Sequence, residues 1–236
     1  MRYLASAQIE AEGPRHIETT IAAPAADFED VRTIAYPAPE EYASRPDAAI
    51  KTDFAADNAA AIADGDPATG ITLPAGRANT ITFDCGKPYT ARSLTLKLLP
   101  SPAAYGARLE AEIDGTYTTV ATFTVDRSNP AINVGFDPYA PVTVSFAATT
   151  ARRFRLVTDA AAQPGGIAEA ELSAQPRIAS YAEKTLAKMC QTPLPYWNHY
   201  MWPVQAEIDN KAYAIDPASV QDISASIDSE GNIKWD

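Results

Sequence analysis

Two short stretches, far apart in the sequence, carry side chains that suit a metal ion. The first, Ala61-Ile-Ala-Asp-Gly-Asp-Pro-Ala-Thr69, packs oxygen donors into a turn-forming sequence. The second, Gly166-Ile-Ala-Glu-Ala-Glu-Leu172, places carboxylates on alternate residues of a predicted strand. Hard cations prefer several oxygen ligands and accept carboxylate, hydroxyl and carbonyl donors together. If the fold brings the two stretches together, a hard cation can lie between them.

The first stretch also has a simpler interpretation. Asp64-Gly-Asp-Pro67 is strongly favoured in turns without any ligand, because Gly accepts positive φ and Asp bonds to its own backbone. A single loop motif is a weak indicator of a metal. The residues alone therefore leave two interpretations open, a cation site and a plain turn.

The sequence between and around these stretches predicts antiparallel β structure. Short runs rich in Val, Thr, Phe and Ile alternate with Gly and Pro, a pattern typical of a sandwich or barrel. The clearest hairpin is centred on Asp114-Gly115, since both central residues of a type I′ turn need positive φ. Residues 37–60 are rich in Ala, Asp and Pro and predict a long surface connection. The predicted strands are 2–9, 17–22, 31–36, 79–83, 93–98, 108–113, 117–125, 142–146, 153–157 and 167–172.

The C-terminal part has a different texture. Apolar residues at helical spacing predict an amphipathic helix over 178–190. An aromatic stretch follows at 196–202, and then a predicted hairpin formed by Asp222–Ile227 and Ile233–Trp235. Its second strand is short, so we expect the chain to be a segment of a longer protein. We assign 1–175 to a β-sandwich domain and 176–236 to a helix plus a truncated hairpin of an adjoining domain.

Composition and charge exclude several classes of function. The chain has 236 residues and a net charge of −11. It shows no basic stripe of the kind that binds nucleic acid or an anionic membrane surface, and its apolar runs are too short to span a bilayer. Cys85 and Cys190 are too few for a disulfide framework and are expected to be buried thiols. The first residues lack an apolar export signal.

The two oxygen-rich stretches resemble the calcium site of galactose-binding-like, or discoidin-like, jelly-roll domains. In that family an Asp-Gly-Asp/Asn-x-x-Thr loop and an Ala-Glu pair on the last strand hold calcium. The family usually places Trp two residues after the Thr, whereas this chain has Ile71. The resemblance implies carboxylates from Asp64 and Glu169, the hydroxyl and carbonyl of Thr69, and carbonyls from Ala61, Asp66 and Ala168.

A wider resemblance covers most of the chain. The stretch Val220-Gln-Asp-Ile-Ser-Ala-Ser-Ile-Asp-Ser-Glu-Gly-Asn-Ile-Lys-Trp-Asp236 is similar to the start of a motif in large bacterial α-L-rhamnosidases. Phe28–Pro39 and Tyr89–Leu96 are similar to that family as well. The resemblance implies a β-domain whose partner is the catalytic domain of the same parent chain, and it assigns no catalytic residue to this sequence.

Catalytic chemistry finds little support in the residues themselves. Glycoside hydrolysis needs two carboxylates that face each other across the scissile bond. The pairs Glu110/Glu112 and Glu169/Glu171 alternate along predicted strands, which is typical of a solvated face. His16 and His199 have no evident partners for a triad or a zinc site.

Two regions are candidates for carbohydrate binding. Trp197 and Trp202 lie in the aromatic stretch, where flat sugar faces could stack; large aromatics also fill buried interfaces. Arg127, Asn133 and Tyr139 lie in a loop at one predicted end of the sandwich, which is otherwise an ordinary connection.

Taken together, the sequence predicts a mainly β protein, an antiparallel β-sandwich of the galactose-binding-like jelly-roll type with a short helical and aromatic C-terminal segment. We expect a non-catalytic ancillary domain of an α-L-rhamnosidase-like glycoside hydrolase that acts on plant or complex polysaccharides. It is expected to reach the periplasm or the exterior through its parent protein. A free-standing carbohydrate-binding module and a complete enzyme are the alternatives.

Overall fold

The computed structural model describes residues 9, 11, 16–21, 31–38, 46–128, 139–184 and 214–235. The backbone divides into two units, one within Met1–Ala43 and Ala214–Asp236 and the other within Ser44–Tyr213. This division differs from the one that the sequence suggested at residue 175. The strands are β1 (Ile17–Thr20), β2 (Ile34–Ala35), β3 (Ala49–Thr52), β4 (Ile71–Leu73), β5 (Asn79–Leu98), β6 (Ala103–Ile113), β7 (Thr116–Arg127), β8 (Val142–Thr158), β9 (Gly165–Ser173), β10 (Gln221–Asp222) and β11 (Asn232–Trp235).

The second unit is one antiparallel sheet that curls into a sandwich. Its strand order is β4-β9-β5-β8-β6-β7, and β3 pairs with β5. The long strands β5 and β8 pair along most of their length, and their pairing shifts register between Asp84 and Tyr89. Before the shift β5 pairs with β3, and beyond it β5 pairs with β9. The mainly antiparallel β class predicted from the sequence is confirmed.

Alternation along these strands builds the core. On β5, Ile81 and Phe83 are buried before the register shift, and Leu94 and Leu96 are buried after it. Successive strand residues point to opposite faces, so each such pair lies on one side of the sheet. Cys85 belongs to the same buried cluster. Burial raises the pKa of this thiol to about 11, in agreement with the predicted buried thiol.

The predicted hairpin is confirmed. β6 and β7 pair from Ala103↔Arg127 to Ile113↔Thr116. The turn residues Asp114 and Gly115 have φ of 50° and 77°, as a type I′ turn requires.

Two predicted interruptions are wrong. Residues 37–60 were expected to form one long connection, but β3 lies within them and pairs with the first half of β5. Residues 84–92 and 147–152 were expected to separate strands, but β5 and β8 run through them. The pairing of β5 with β8 shifts register between Asp84 and Tyr89, within this part of β5, and Gly86 has a φ of 69°.

The first unit contains two small ladders. β1 pairs with β11, from Ile17↔Trp235 to Thr20↔Asn232, and β10 pairs with β2. The predicted terminal hairpin forms only in part: Ser224–Ser226 is a 3-10 helix, and Ile233 also lies opposite Thr19. A single bridge joins Ile227 to Ile233.

The predicted helix over 178–190 is described only in part. Its described helical residues form α1 (Tyr181–Lys184), and residues 185–190 lie outside the described part of the chain, as do residues 2–8 of the first predicted strand and Cys190. No helix among the described residues has the length and apolar character needed to cross a bilayer.

Candidate functional site

A loop between a short helix and β4 carries most of the predicted metal ligands. The 3-10 helix Ala59–Ala63 begins at Asn58, whose side chain accepts from the Ala60 amide. In the loop that follows, Asp64 Oδ1 accepts from the Asp66 amide at 2.8 Å, and Asp66 Oδ1 accepts from the Ala68 amide at 2.9 Å. Such bonds from an aspartate to the backbone two residues later fold tight turns. The plain-turn interpretation is thus correct for the local backbone.

Thr69 gathers oxygen atoms around its hydroxyl. Its Oγ1 lies 2.9 Å from Asp64 Oδ2, 3.1 Å from the Asp66 carbonyl oxygen and 3.4 Å from the Ala61 carbonyl oxygen. The Asp66 carbonyl already accepts from the Thr69 amide at 3.1 Å. A hydroxyl has one hydrogen to donate, so it can satisfy only one of the other two acceptors. The loop therefore presents more acceptor oxygens than this hydroxyl has hydrogen for, which is the arrangement that a cation stabilises.

β9 brings Glu169 to the same loop. Glu169 is 7% exposed, and its Oε1 has no hydrogen-bond partner within the described part of the chain. Gly70 allows the close approach, because a Cβ built there would lie 2.3 Å from the Ile167 carbonyl oxygen. Ala168, the remaining predicted ligand, lies between Ile167 and Glu169 on this strand.

The electrostatics of the site favour a positive charge. Burial raises the pKa of Glu169, and the Asp64 carboxylate raises it further, while Lys97 opposes the shift. The Asp66 amide and the Thr69 hydroxyl lower the pKa of Asp64. A divalent cation would neutralise the two carboxylates and supply the missing partner of Glu169 Oε1.

The donor set is one of oxygen atoms alone. No group of three or more His, Cys, Asp or Glu side chains suited to a metal occurs among the described residues, so a metal here must also use hydroxyl and carbonyl oxygens. Mixed oxygen donors of this kind suit calcium and do not suit metals that prefer nitrogen or sulfur. The residues present thus fit the calcium ion that the resemblance implies. Sequence inspection did not single out Gly70, although a glycine directly after the ligand threonine was its visible signal.

The predicted sugar-binding residues are only partly described. Arg127 is buried, and its guanidinium donates to the carbonyls of Asp126, Ala140 and Pro141. Arg127 was predicted to bind sugar, but its guanidinium instead links the end of β7 to the residues that precede β8. Tyr139 lies half-buried in a turn, directly before Ala140 in the chain. Asn133, Trp197 and Trp202 lie outside the described residues.

Other partly buried carboxylates of the second unit form salt bridges with arginine side chains. Glu110 bonds to Arg108 and Arg155, Glu112 to Arg153, and Glu171 to Arg177. These pairs neutralise the carboxylates that the sequence had suggested as a solvated face. The arginines of this network were not singled out, because an arginine in a strand shows no partner in the sequence.

Comparison with known families identifies the chain. The family model Glyco_hydro_106, described as alpha-L-rhamnosidase, matches residues 1–236. The chain belongs to this alpha-L-rhamnosidase family. Comparison with the curated proteins finds no match.

Several solved structures are similar to this family member in backbone fold. The rhamnosidase from Novosphingobium sp. PP1Y is similar with a TM-score of 0.58 and 22% identity, over 93% of this chain and 18% of that chain. The CBM32 of AlyQ in complex with 4,5-unsaturated mannuronic acid gives 0.44 and 21%, over 55% and 97%. The family 32 CBM from C. perfringens NanJ in complex with galactose gives 0.43 and 18%, over 53% and 91%. The second unit of this rhamnosidase-family chain is an antiparallel β-sandwich, the fold class that the sequence predicted.

Proposed function

We propose that the chain is a non-catalytic, ancillary β-sandwich region of an α-L-rhamnosidase-type glycoside hydrolase. Two observations support this. The family match extends over the whole chain, and the chain corresponds to only 18% of a similar rhamnosidase. On this proposal the partner is the catalytic domain of the same parent chain, which degrades plant or complex polysaccharides outside the cytoplasm.

The described buried or arginine-bound carboxylates of the second unit support a non-catalytic role. A glycosidase acid must remain protonated, so its pKa is raised, whereas the pKa of Glu110 and that of Asp84 are both lowered, with arginine bonds among the causes. Glu169 does have a raised pKa, but it is hydrogen-bonded to Asp64. Catalytic carboxyl groups are about 5 Å or more apart so that a sugar fits between them. The Asp64–Glu169 pair leaves no such space.

The loop site is proposed to hold a structural calcium ion. Asp64, Thr69 and Glu169 would bind it by side chain, and Ala61, Asp66 and Ala168 by carbonyl oxygen. The single observation that carries this is the crowding of acceptor oxygens around Thr69, together with the unpartnered Glu169 Oε1. When bound, the ion would join the loop to β9 and so fix the edge of the sheet.

Thermal unfolding with calcium and with a chelator tests the site. A ligand that binds only the folded state stabilises it by about 2.7 kcal/mol at a hundredfold excess over its dissociation constant. We expect the melting temperature to rise with calcium and far less with magnesium, which needs a tighter octahedral shell. Asp64→Ala should remove most of the rise, and the exposed Asp57→Ala should keep it. An unchanged melting temperature in the wild type would leave the loop as a turn only.

Measurements of activity and of carbohydrate binding distinguish an ancillary bracing domain from a free-standing carbohydrate-binding module. The chain alone should not release rhamnose from an aryl rhamnoside, while the parent enzyme should. On a glycan array, strong binding by the isolated chain would favour a carbohydrate-binding module, and absence of binding would favour a bracing role. Turnover by the chain alone, lost on one carboxylate substitution, would overturn the non-catalytic assignment.

A further inference from the structure

The first unit presents an apolar face to solvent. Ile34, Tyr36 and Val220 are 49%, 41% and 37% exposed. All three lie on or directly beside the ladder of β2 and β10. Among the described residues of this unit, the buried apolar side chains are Ile223 and Ile233, so the exposed three are not part of that interior.

The register of the ladder places these side chains together. Asp222 lies opposite Ile34, and Gln221 lies opposite Ala35. Continued by one residue, the same register sets Val220 opposite Tyr36. Since alternate residues of a strand share a face, Ile34, Tyr36 and Val220 lie on one side of the ladder. We call this side the ladder face.

A charged pair borders the ladder face. Arg32 Nη1 lies 3.4 Å from Asp222 Oδ2, and both side chains are well exposed. By alternation Arg32 and Asp222 belong to the same side as Ile34. An apolar centre with a polar, solvent-accessible rim is the usual composition of a protein interface.

The ladder itself is too small to be stable without support. Only two residue pairs form it, and even a full two-stranded hairpin is marginal in water. A second element packed on the ladder face would remove the apolar side chains from water and stabilise the pairing.

We propose that the ladder face is covered by polypeptide of the parent rhamnosidase-type chain that lies outside these 236 residues. The inference rests on the proposed function, which supplies that parent. The similar rhamnosidase aligns with 93% of this chain but only 18% of its own length, so a parent of that size would have ample polypeptide to cover the face. The covering surface is apolar at its centre, with polar groups to meet Arg32 and Asp222 at the rim.

A covalently linked occupant fits the ladder face better than a second copy does. A stable interface between separate proteins buries about 800 Å² on each partner, and three side chains on a two-pair ladder supply only a small part of that area. A segment of the same polypeptide needs less area, because linkage gives it a high effective concentration.

Hydrogen exchange on the 236-residue chain and on the whole parent protein tests the proposal. Amides of 33–36 and 220–222 should exchange at least about tenfold more slowly in the parent, since covering a ladder suppresses its local opening. Amides of the β5–β8 core, far from this face in the sequence, serve as the internal control and should exchange equally in both. Equal exchange at 33–36 and 220–222 in both proteins would overturn the proposal.

A matched pair of variants gives a second measurement. Ile34→Ser combined with Tyr36→Ser should lower the melting temperature of the parent and leave that of the isolated chain within error. Ile113→Ser, at an apolar side chain of the second unit that is 41% exposed, should change neither. A concentration-dependent dimer of the isolated chain that Ile34→Ser abolishes would show that a second copy covers the face, and would also overturn the proposal. The exchange rates are measured independently of rhamnosidase activity and of the calcium response. Failure of the proposed function would appear in those two measurements, and failure of the present proposal would appear in the exchange rates.

Discussion

Glu110 is a buried carboxylate held between two arginines. Its side chain is only 7% exposed, and it lies between Arg108, whose Nε is 2.6 Å from Oε1, and Arg155. The Arg155 guanidinium also lies 3.9 Å from the centroid of the Tyr117 ring. One carboxylate thus holds two arginines, and through Arg155 it fixes the position of an aromatic ring on the edge strand.

Replacing this carboxylate should destabilise the sandwich. We expect Glu110→Gln to lower the free energy of unfolding by about 1–3 kcal/mol, because it weakens charged hydrogen bonds to two arginines. Partial exposure of both arginines keeps the loss below that of a fully buried pair. Glu112→Gln is the matched control, since Glu112 bonds to Arg153 alone, and should cost less. Urea unfolding of the two variants measures the difference, and equal losses would contradict this account.

Asp84 predicts a loss of stability in acid. The Gly86 amide, first, and then the Arg153 and Arg152 side chains hold its pKa at about 2, below the ordinary 3.8. A carboxylate whose pKa is lower in the folded state stabilises the fold above its unfolded pKa, and this stabilisation disappears as the pH falls through the folded value. Asp84→Asn should therefore flatten the decline in unfolding midpoint between about pH 4 and pH 2.

The pH series needs one comparison. The exposed Asp57→Asn carries the same chemical change without the arginine contacts and should follow the wild-type curve. A wild-type slope in the Asp84→Asn variant would show that other groups cause the acid sensitivity.

At the scale of single residues, the sequence was informative where a motif fixed the geometry. The family resemblance implied that Asp64, Thr69 and Glu169 meet, and the structure brings these three side chains together. Arg127 was less predictable. Its three carbonyl partners depend on how the chain returns at Ala140 and Pro141, and no local pattern records that return.

At the scale of elements, the junction of the ligand loop with β9 depends on one glycine. A Cβ at Gly70 would meet the Ile167 carbonyl oxygen at 2.3 Å and the Ala168 Cα at 2.8 Å, and neither backbone atom can move without shifting the strand. Gly70→Ala should therefore separate the loop from Glu169. We expect a lower melting temperature and a calcium response reduced at least about tenfold in apparent affinity.

The Gly70 prediction has a nearby control. A Cβ at Gly65, in the same loop, would meet nothing within 4 Å. Gly65→Ala carries only the cost of its positive φ, so it should destabilise the loop modestly and preserve calcium binding. Isothermal titration of both variants distinguishes them, and full calcium affinity in Gly70→Ala would refute the close-approach argument.

Whether a strand could be predicted from the sequence depends on how far apart in the sequence its pairing partners lie. The β6–β7 hairpin was predictable because Asp114-Gly115 specifies its own turn. β3 was missed because Ala49–Thr52 is short and sits among Ala, Asp and Pro, so only its pairing with β5 makes it a strand. The pairing of β11 with β1 was missed, since it spans almost the whole sequence and leaves no local trace.

At the scale of the whole molecule, the two units should respond to calcium differently. The proposed ligands all belong to the unit within Ser44–Tyr213. A ligand stabilises the cooperative unit that binds it, and stability is not uniform across a structure. Hydrogen exchange with and without calcium should slow in β9 and the 61–70 loop and stay unchanged in β1 and β11. Equal slowing in both units would show that they unfold as one.

The pairing of β2 with β10 has a consequence for how the gene can be edited. These strands flank the second unit in the chain, yet they are hydrogen-bonded to each other. Because the two strands are neighbours, the chain between them begins and ends at nearly the same place, whatever its length. Insertion of a domain between such closely spaced points is well tolerated. The sandwich therefore has the topology of a cassette. A relative could join Ala35 to Gln221 by a short loop, or by a different inserted domain, and keep both ladders intact.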